Sequence, residues 1–247
     1  MSDLHSESEN YYDSVASHYD TYYDDSVSQA EDIIIKAHLQ KIIKPQNHVL
    51  DCGCGTGLAV ALLSDVPCCY TGIDISKNML SMAKKKYPDK TFIHGDIASM
   101  PSLPAGTFDN IISLNGSFSH VINYPDAINE FLRLLKPGGK AFIMVYGRFS
   151  LKRVLRGAFI KRRGRYTIRN CTSPKIMSSP AIFWSAQSLR KAFHSFSEVN
   201  VSGLNVTVDL FKKRHNVNDA LLHLKKELSY PSLIQQFAHA LILKATK

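Results

Sequence analysis

The sequence predicts an α/β fold built on a mostly parallel, doubly wound sheet. Short apolar runs ("HVLDCG", "CCYTGIDI", "TFIHGDI", "FDNIISLN", "KAFIMVYG") alternate with segments of helical periodicity. Such alternation implies parallel strands joined by right-handed crossovers. The runs are almost continuously apolar, as expected of strands covered on both faces. The first run also feeds a glycine loop, "DCGCGTG", directly into a helix. At 247 residues with 45% hydrophobic composition, the chain can form one large domain or one domain with an inserted cap. Charged residues at 21% argue against a disordered chain.

Each element follows from local signals. Residues 1–10 are polar and acidic, and disorder is expected there. Residues 11–43 are expected to form N-terminal cap helices. They comprise a Tyr/Asp-rich stretch and then "AEDIIIKAHLQKII", whose apolar residues recur at helical spacing before Pro45. A strand over "HVLDCG" precedes a helix from about Leu58 to Ser64. "SKNMLSMAKKKY" reads as a helix capped by Ser76. "TFIHGDI" and "FDNIISLN" are further strands, "YPDAINEFLRLL" a helix, "KPGG" a turn and "KAFIMVYG" the fifth strand. After Gly147 the alternation breaks. Residues 148–180 read as an inserted basic lid with one amphipathic helix, "SLKRVLRGAFI". A helix ("SAQSLRKAFHSF"), a strand ("EVNVSGLNV"), a helix ("NVNDALLHLKKEL") and a final strand ("HALILKATK") complete the chain.

The formal charge of +9 is unevenly placed. Met1 to Asp32 carries nine carboxylates and no Lys or Arg, whereas Phe131 to Ser197 carries fifteen basic residues and no carboxylate. The positive field is therefore local, and bears on a substrate or partner more than on solubility. The N-terminus lacks an apolar stretch behind a basic start, so no secretory signal is expected. The longest apolar runs are far shorter than the roughly 20 residues of a membrane span. Five cysteines, an odd number, suggest reduced thiols and a cytoplasmic setting.

By themselves, the two cysteines and three glycines of "VLDCGCGTGL" could serve a metal, a redox pair, a phosphate or a cofactor. Cys52 and Cys54 do not have zinc-ligand spacing, and no metal is expected. Glycines at the carboxyl end of a first strand allow a ligand to approach main-chain N–H groups closely. Asp74 ends the second strand about 20 residues on, where a carboxylate can accept both hydroxyls of a ribose. Asp96, in "HGDI", ends the third strand, where it can accept from an exocyclic amine, and Asn115 ends the fourth strand. All four points fall on the edge where open α/β sheets bind ligands.

"VLDCGCGTG", "GIDIS", "HGDI", "FDNIISLNGSFSHV" and "LLKPGG", in that order and spacing, resemble the class I S-adenosylmethionine-dependent methyltransferases. The nearest resemblance is to the ubiquinone/menaquinone-pathway and small-molecule members. It covers about Tyr11 to Gly147 well and the C-terminal strands loosely. It implies a Rossmann-like sheet of seven strands with an antiparallel last strand, supplied by "HALILKATK", and S-adenosyl-L-methionine as cofactor. It also implies residue roles. Asp51, Gly53, Gly55 and the backbone around Cys52 would line the methionine end. Asp74 would hold the ribose, and Ile75, Asp96 and Ile97 would contact the adenine. Asn115 and Gly116 would pass beneath the methionyl part, and Tyr11 and Tyr19 would belong to a helix closing over the cofactor. His120, in "GSFSHV", becomes the candidate general base or acceptor-orienting residue, against the alternative of a histidine packed at a helix start.

A nicotinamide dehydrogenase is the competing reading. The loop, with Gly53, Gly55 and Gly57, lacks the G-x-G-x-x-G spacing that reading needs. The expected reaction is methyl transfer to an oxygen or nitrogen of a small acceptor, acidic or aromatic. The block at 148–175, with Lys152, Arg153, Arg156, Lys161, Arg162, Arg163, Arg165 and Arg169, admits several uses. It can be a lid with a solvated basic face over an apolar stripe (Leu151, Val154, Leu155, Ala158, Phe159), or a recogniser of an acidic substrate. It can also dock on RNA, or on an anionic membrane as a lipid or quinone methyltransferase would. Nucleic acid is disfavoured, because no RNA module or exposed aromatic platform is recognisable.

Overall fold

The computed structural model describes residues 2–155, 161–167, 178–210 and 216–247. The chain begins with helix α1 (Ser2–Val15) and two short 3-10 turns, followed by α2 (Ser26–Ile42). Then come β1 (His48–Cys52), α3 (Leu58–Leu62), β2 (Cys69–Asp74), α4 (Lys77–Lys86), β3 (Thr91–His94) and β4 (Phe108–Ser113). A further 3-10 turn, α5 (Tyr124–Leu134) and β5 (Leu135–Tyr146) follow. The remainder holds α6 (Leu151–Leu155), β6 (Arg163–Tyr166), β7 (Ser179–Ile182), α7 (Ala186–Ala192) and β8 (Glu198–Leu204). It ends with α8 (Val217–Glu227), α9 (Ser232–Gln235) and β9 (Ala240–Thr246).

Seven strands form one sheet in the order β3-β2-β1-β4-β5-β9-β8. The first five pair in parallel, and β9 runs antiparallel to both β5 and β8. The expected fold class, a mostly parallel seven-stranded sheet with an antiparallel last strand, is the observed one. Alternate residues of each strand feed opposite faces. Leu50 and Ile111 pack with Phe131 and Leu134 of α5, Leu189 of α7 and Phe193 just after it. Val49 and Ile112 pack with Ile34, Leu39, Leu62 and Leu224 of α2, α3 and α8. Each large side chain so buried contributes roughly 1.5–3 kcal/mol. No helix among the described residues is long and apolar enough to cross a membrane.

Three expectations change. Residues 2–10, expected to be disordered, belong to α1. Their polar composition hides the helix, because its order comes from tertiary contacts. Tyr11 and Val15 are buried with Ala16 and Met79, Arg165 reaches Glu7 at 2.7 Å, and Ser8 meets Ser179 at 3.0 Å. "KPGG" is not a separate turn but an irregularity inside β5. Phe108 pairs with Leu135 while Asn110 pairs with Lys140, so the extra residues bulge out and Gly138 takes φ 73°. The lid segment, for which one amphipathic helix is the only element expected, also contributes to the antiparallel β6–β7 ribbon, whose second strand runs on to Ile182. Of its expected amphipathic helix, Leu151–Leu155 is described, and Arg156, Ala158 and Phe159 lie outside the described residues, as does Arg169. The apolar stripe does not bury as expected: Val154 and Leu155 are exposed, and Arg153 instead lies over the Phe183 ring at 4.6 Å.

Candidate active site

The site starts at the end of β1. Asp51 is buried there, and its Oδ2 accepts a 2.7 Å hydrogen bond from the Tyr70 hydroxyl. Its Oδ1 has no partner among the described residues. Burial pushes the Asp51 carboxyl up to about 7, Tyr70 draws it back, and nearby Asp74 raises it further. The loop then turns back across β2, with the Gly53 and Cys54 N–H groups both donating to the Ile73 carbonyl. Gly55, at φ 52°, has nothing within 4 Å of where a Cβ would stand. Glycine here permits the left-handed turn and leaves bare backbone facing open space. Thr56 donates to Asp20 at 2.6 Å, tying the loop to the N-terminal segment.

Asp74 locks the floor of the cleft. One oxygen accepts from the Gly55 N–H at 2.8 Å and the other from the Ser76 N–H at 2.9 Å. Burial raises its carboxyl above the ordinary range against those two bonds. Ser76 caps α4 as expected, accepting from the Met79 N–H at 3.1 Å. Asp96 lies two residues beyond β3, accepts from the Ala98 N–H at 2.8 Å and meets His5 of α1 at 3.2 Å. Asn115 takes φ 48° just past β4.

His120 stands at the far end. A carbonyl can only accept, so the 2.7 Å contact to Pro180 O fixes the proton on Nδ1. Nε2 then accepts from the Tyr12 hydroxyl at 2.8 Å, with the Tyr146 hydroxyl 3.3 Å away. Burial lowers the imidazole to about 4, so it is neutral. Tyr146 stacks on Tyr166 of the ribbon, their rings 3.9 Å apart. Burial drives the Tyr12, Tyr19, Tyr23 and Tyr146 phenols upward, so all stay protonated.

A single cavity of about 790 Å³ joins these groups. That is within the range of small-molecule sites, roughly 300–1,000 Å³. Of the residues marked in the sequence, Tyr19, Asp51, Gly53, Gly55, Asp74, Ile75, Asp96, Ile97, Asn115 and His120 line it. Tyr11, Cys52 and Gly116 do not. Tyr11 packs on Met79, while His5, Ser8 and Tyr12 form the stripe of α1 that faces the cavity. Cys52 points into the core beneath the sheet, and Cys54 lines the cavity instead. Gly116 is pressed against Tyr146: a Cβ there would stand 2.2 Å from the ring.

Sequence reasoning missed Tyr12, Tyr23, Asp32 and Tyr70. For Tyr12 a signal existed, the one-residue difference in helical phase from Tyr11 and Val15. Tyr70, in the middle of an apolar strand, gave none. The described basic residues of the lid do not line the cavity. Arg162 donates to the Tyr124 hydroxyl at 2.9 Å and lies over the Trp184 ring, and Arg165 pairs with Glu7.

The sequence matches the methyltransferase domain family over residues 50–143. It is 30% identical over 193 residues to an uncharacterised protein of Methanocaldococcus jannaschii, covering 76% of this chain and 71% of that one. The chain belongs to the class I S-adenosylmethionine-dependent methyltransferases. It is an enzyme of that activity, and S-adenosylmethionine is its cofactor. Demethylmenaquinone methyltransferase of Chlorobaculum tepidum is 33% identical over 114 residues. That match covers 44% of this chain and less than half of the relative, 45%. Among solved structures, a methyltransferase of Thermotoga maritima, described as a possible histamine N-methyltransferase, superposes with a TM-score of 0.63 at 18% identity. It covers 96% of this chain and 99% of its own, and at that identity the likeness speaks for the fold.

The cleft fits this cofactor. Asp51 Oδ1 is a buried acceptor without a donor, as an ammonium group would require. The bare backbone at Gly55 leaves room for a ligand against the loop.

Proposed function

We propose that this methyltransferase acts on an oxygen or nitrogen of a small molecule bound between α1 and His120. The observation that supports this is the continuity of one cavity from Gly53 and Gly55 to Tyr12 and His120. Asp51 would meet the cofactor's ammonium group and Asp74 its ribose hydroxyls. Ile75 and Ile97 would flank the adenine, Asp96 would accept from its amine, and Asn115 and Tyr19 would close around the methionyl part. Bound there, the cofactor supplies a methyl group activated on a sulfonium.

What the protein adds is mainly proximity and alignment. α1 covers the cleft through Tyr12, Ser8 and His5 and limits the entry of water. His120 faces the acceptor end with a fixed tautomer and holds the Tyr12 hydroxyl in place. The segment at 148–180 would serve as the substrate lid, of which α6 and most of the ribbon are described.

Methyl-labelled S-adenosylmethionine incubated with the purified chain and a cellular small-molecule extract tests this reading. Label recovered in a low-mass product supports it. Cofactor binding without labelled product, or label appearing only in added RNA or lipid, overturns it.

A further inference from the structure

One polar stripe of α1 is directed at a single end of the cleft. His5, Glu9 and Asp13 follow at four-residue spacing, which puts them on one side of the helix. Each meets a segment at the carboxyl edge of β2 or β3. His5 Nδ1 lies 3.2 Å from Asp96 Oδ2. Glu9 Oε1 lies 3.9 Å from His94 Nε2, and that nitrogen donates to the Ile75 carbonyl at 2.9 Å. Asp13 accepts from the Ser76 hydroxyl and from the Asn78 N–H at 3.0 Å. Ile75 and Asp96 flank the adenine in the reading above, so the stripe covers that end of the cavity.

Asp96 is held from two sides. Its Oδ1 accepts from the Ala98 N–H at 2.8 Å, and its Oδ2 faces His5. A carboxylate offers about four lone-pair sites, so these two contacts leave room for an amine proton. His5 and Asp96 both line the cavity, and His5 is the one basic side chain paired with Asp96 among the described residues. Without His5, the outer oxygen of Asp96 would lose its restraint on the protein side.

Resting on the cofactor placement proposed above, we propose that His5 is a positioning residue for adenine recognition: it holds Asp96 Oδ2 toward the exocyclic amine, so that selection of the adenine base depends on α1.

A base that differs only at this point exposes the effect. Adenine presents an amine that donates, whereas hypoxanthine presents a carbonyl that only accepts. A carboxylate oxygen fixed at that place favours the first and opposes the second. A carboxylate free to turn away discriminates less. The two side chains are 40% and 36% exposed, so solvent screens their contact and the effect is a few-fold one. A helix that merely covered the cleft would strengthen the binding of both bases alike.

The test titrates S-adenosylhomocysteine and S-inosylhomocysteine calorimetrically into the full chain. The proteins compared are the wild type, His5→Ala, His5→Asn, Glu7→Gln and Asp96→Asn. His5→Ala should weaken S-adenosylhomocysteine about fivefold and leave S-inosylhomocysteine nearly unchanged, so the preference between them falls by about the same factor. His5→Asn keeps an N–H near the place of Nδ1 and should restore most of the preference. Glu7→Gln loosens α1 at its Arg165 contact, away from the cavity lining, and should change both affinities by one factor. An unchanged preference in His5→Ala, whether both affinities stay or fall together, overturns the inference. So does a preference lowered as far by Glu7→Gln as by His5→Ala. Asp96→Asn tells the two levels apart. A preference lost there but kept in His5→Ala removes His5 alone, and a preference kept in both removes the adenine placement beneath it.

Discussion

Asp51→Asn separates what the site costs the free fold from what it gives the cofactor. The side chain is 2% exposed, and its carboxyl is displaced from 3.8 to about 7, chiefly by burial. Below pH 3.8 the group is neutral folded and unfolded, and costs nothing. Between 3.8 and about 7 the unfolded chain ionises while the folded chain keeps the proton, so stability falls as pH rises. Above about 7 the penalty is complete, on the order of 4 kcal/mol at about 1.4 kcal/mol per unit. Asn keeps the shape and a hydrogen-bonding group for Tyr70 but carries no charge. Urea unfolding without cofactor should show equal stability for the two proteins near pH 4. The variant should lead by up to about 4 kcal/mol at pH 8.5. Calorimetry at pH 7.5 should show its affinity for S-adenosylmethionine reduced about tenfold or more, because a charged acceptor for the ammonium group is gone. A stability difference that does not change with pH would refute the buried charge.

Asp74→Ala should weaken cofactor binding about 10- to 100-fold, since it removes the ribose acceptor and frees the Gly55 N–H it holds at 2.8 Å. An unchanged dissociation constant by calorimetry would end that assignment. His120→Ala should lower turnover while cofactor affinity stays within twofold. Because the imidazole is neutral above about 4, the wild-type turnover profile should show no His120 step between pH 5.5 and 8. Wild-type turnover in the variant would make the residue packing alone. Gly116→Ala places a Cβ 2.2 Å from the Tyr146 ring at φ 83° and should destabilise by about 2–4 kcal/mol. An unaltered melting temperature would contradict that close approach.

The sheet was legible because its signals are local and repeated. The runs around Leu50, Ile73 and Ile111 are apolar on both faces, and Ser76 begins α4 as a cap. Asp74 and Asp96 were legible because spacing from a glycine loop places them on one edge. The contacts that tune those groups were not. Tyr70 meets Asp51 only because β1 and β2 pair in register, Asp51 opposite Gly72. His120 gains its tautomer from Pro180, 60 residues away. No pattern within a window of sequence encodes either distance. Tyr11 and Tyr12 are both aromatic and adjacent, and only the helical phase relative to Met79 tells them apart.

α1 shows the same limit most sharply. A 14-residue helix as polar as this one has little stability alone. Its partners are spread around the rim of the cleft. His5 meets Asp96 beyond β3, and Ser8 meets Ser179 of the ribbon. Tyr12 meets His120, and Asp13 accepts from Ser76 and the Asn78 N–H at the start of α4. Of those partners, Asp96 and His120 also line the cavity, and Ser76 caps α4 beside it. The helix is thus ordered by the surfaces it covers, and its side chains are polar because those surfaces are. A segment selected for such a role has no apolar stripe to announce it. Its acidity, which looks like disorder in the sequence, supplies the carboxylates that pair with Arg165 and cap α4.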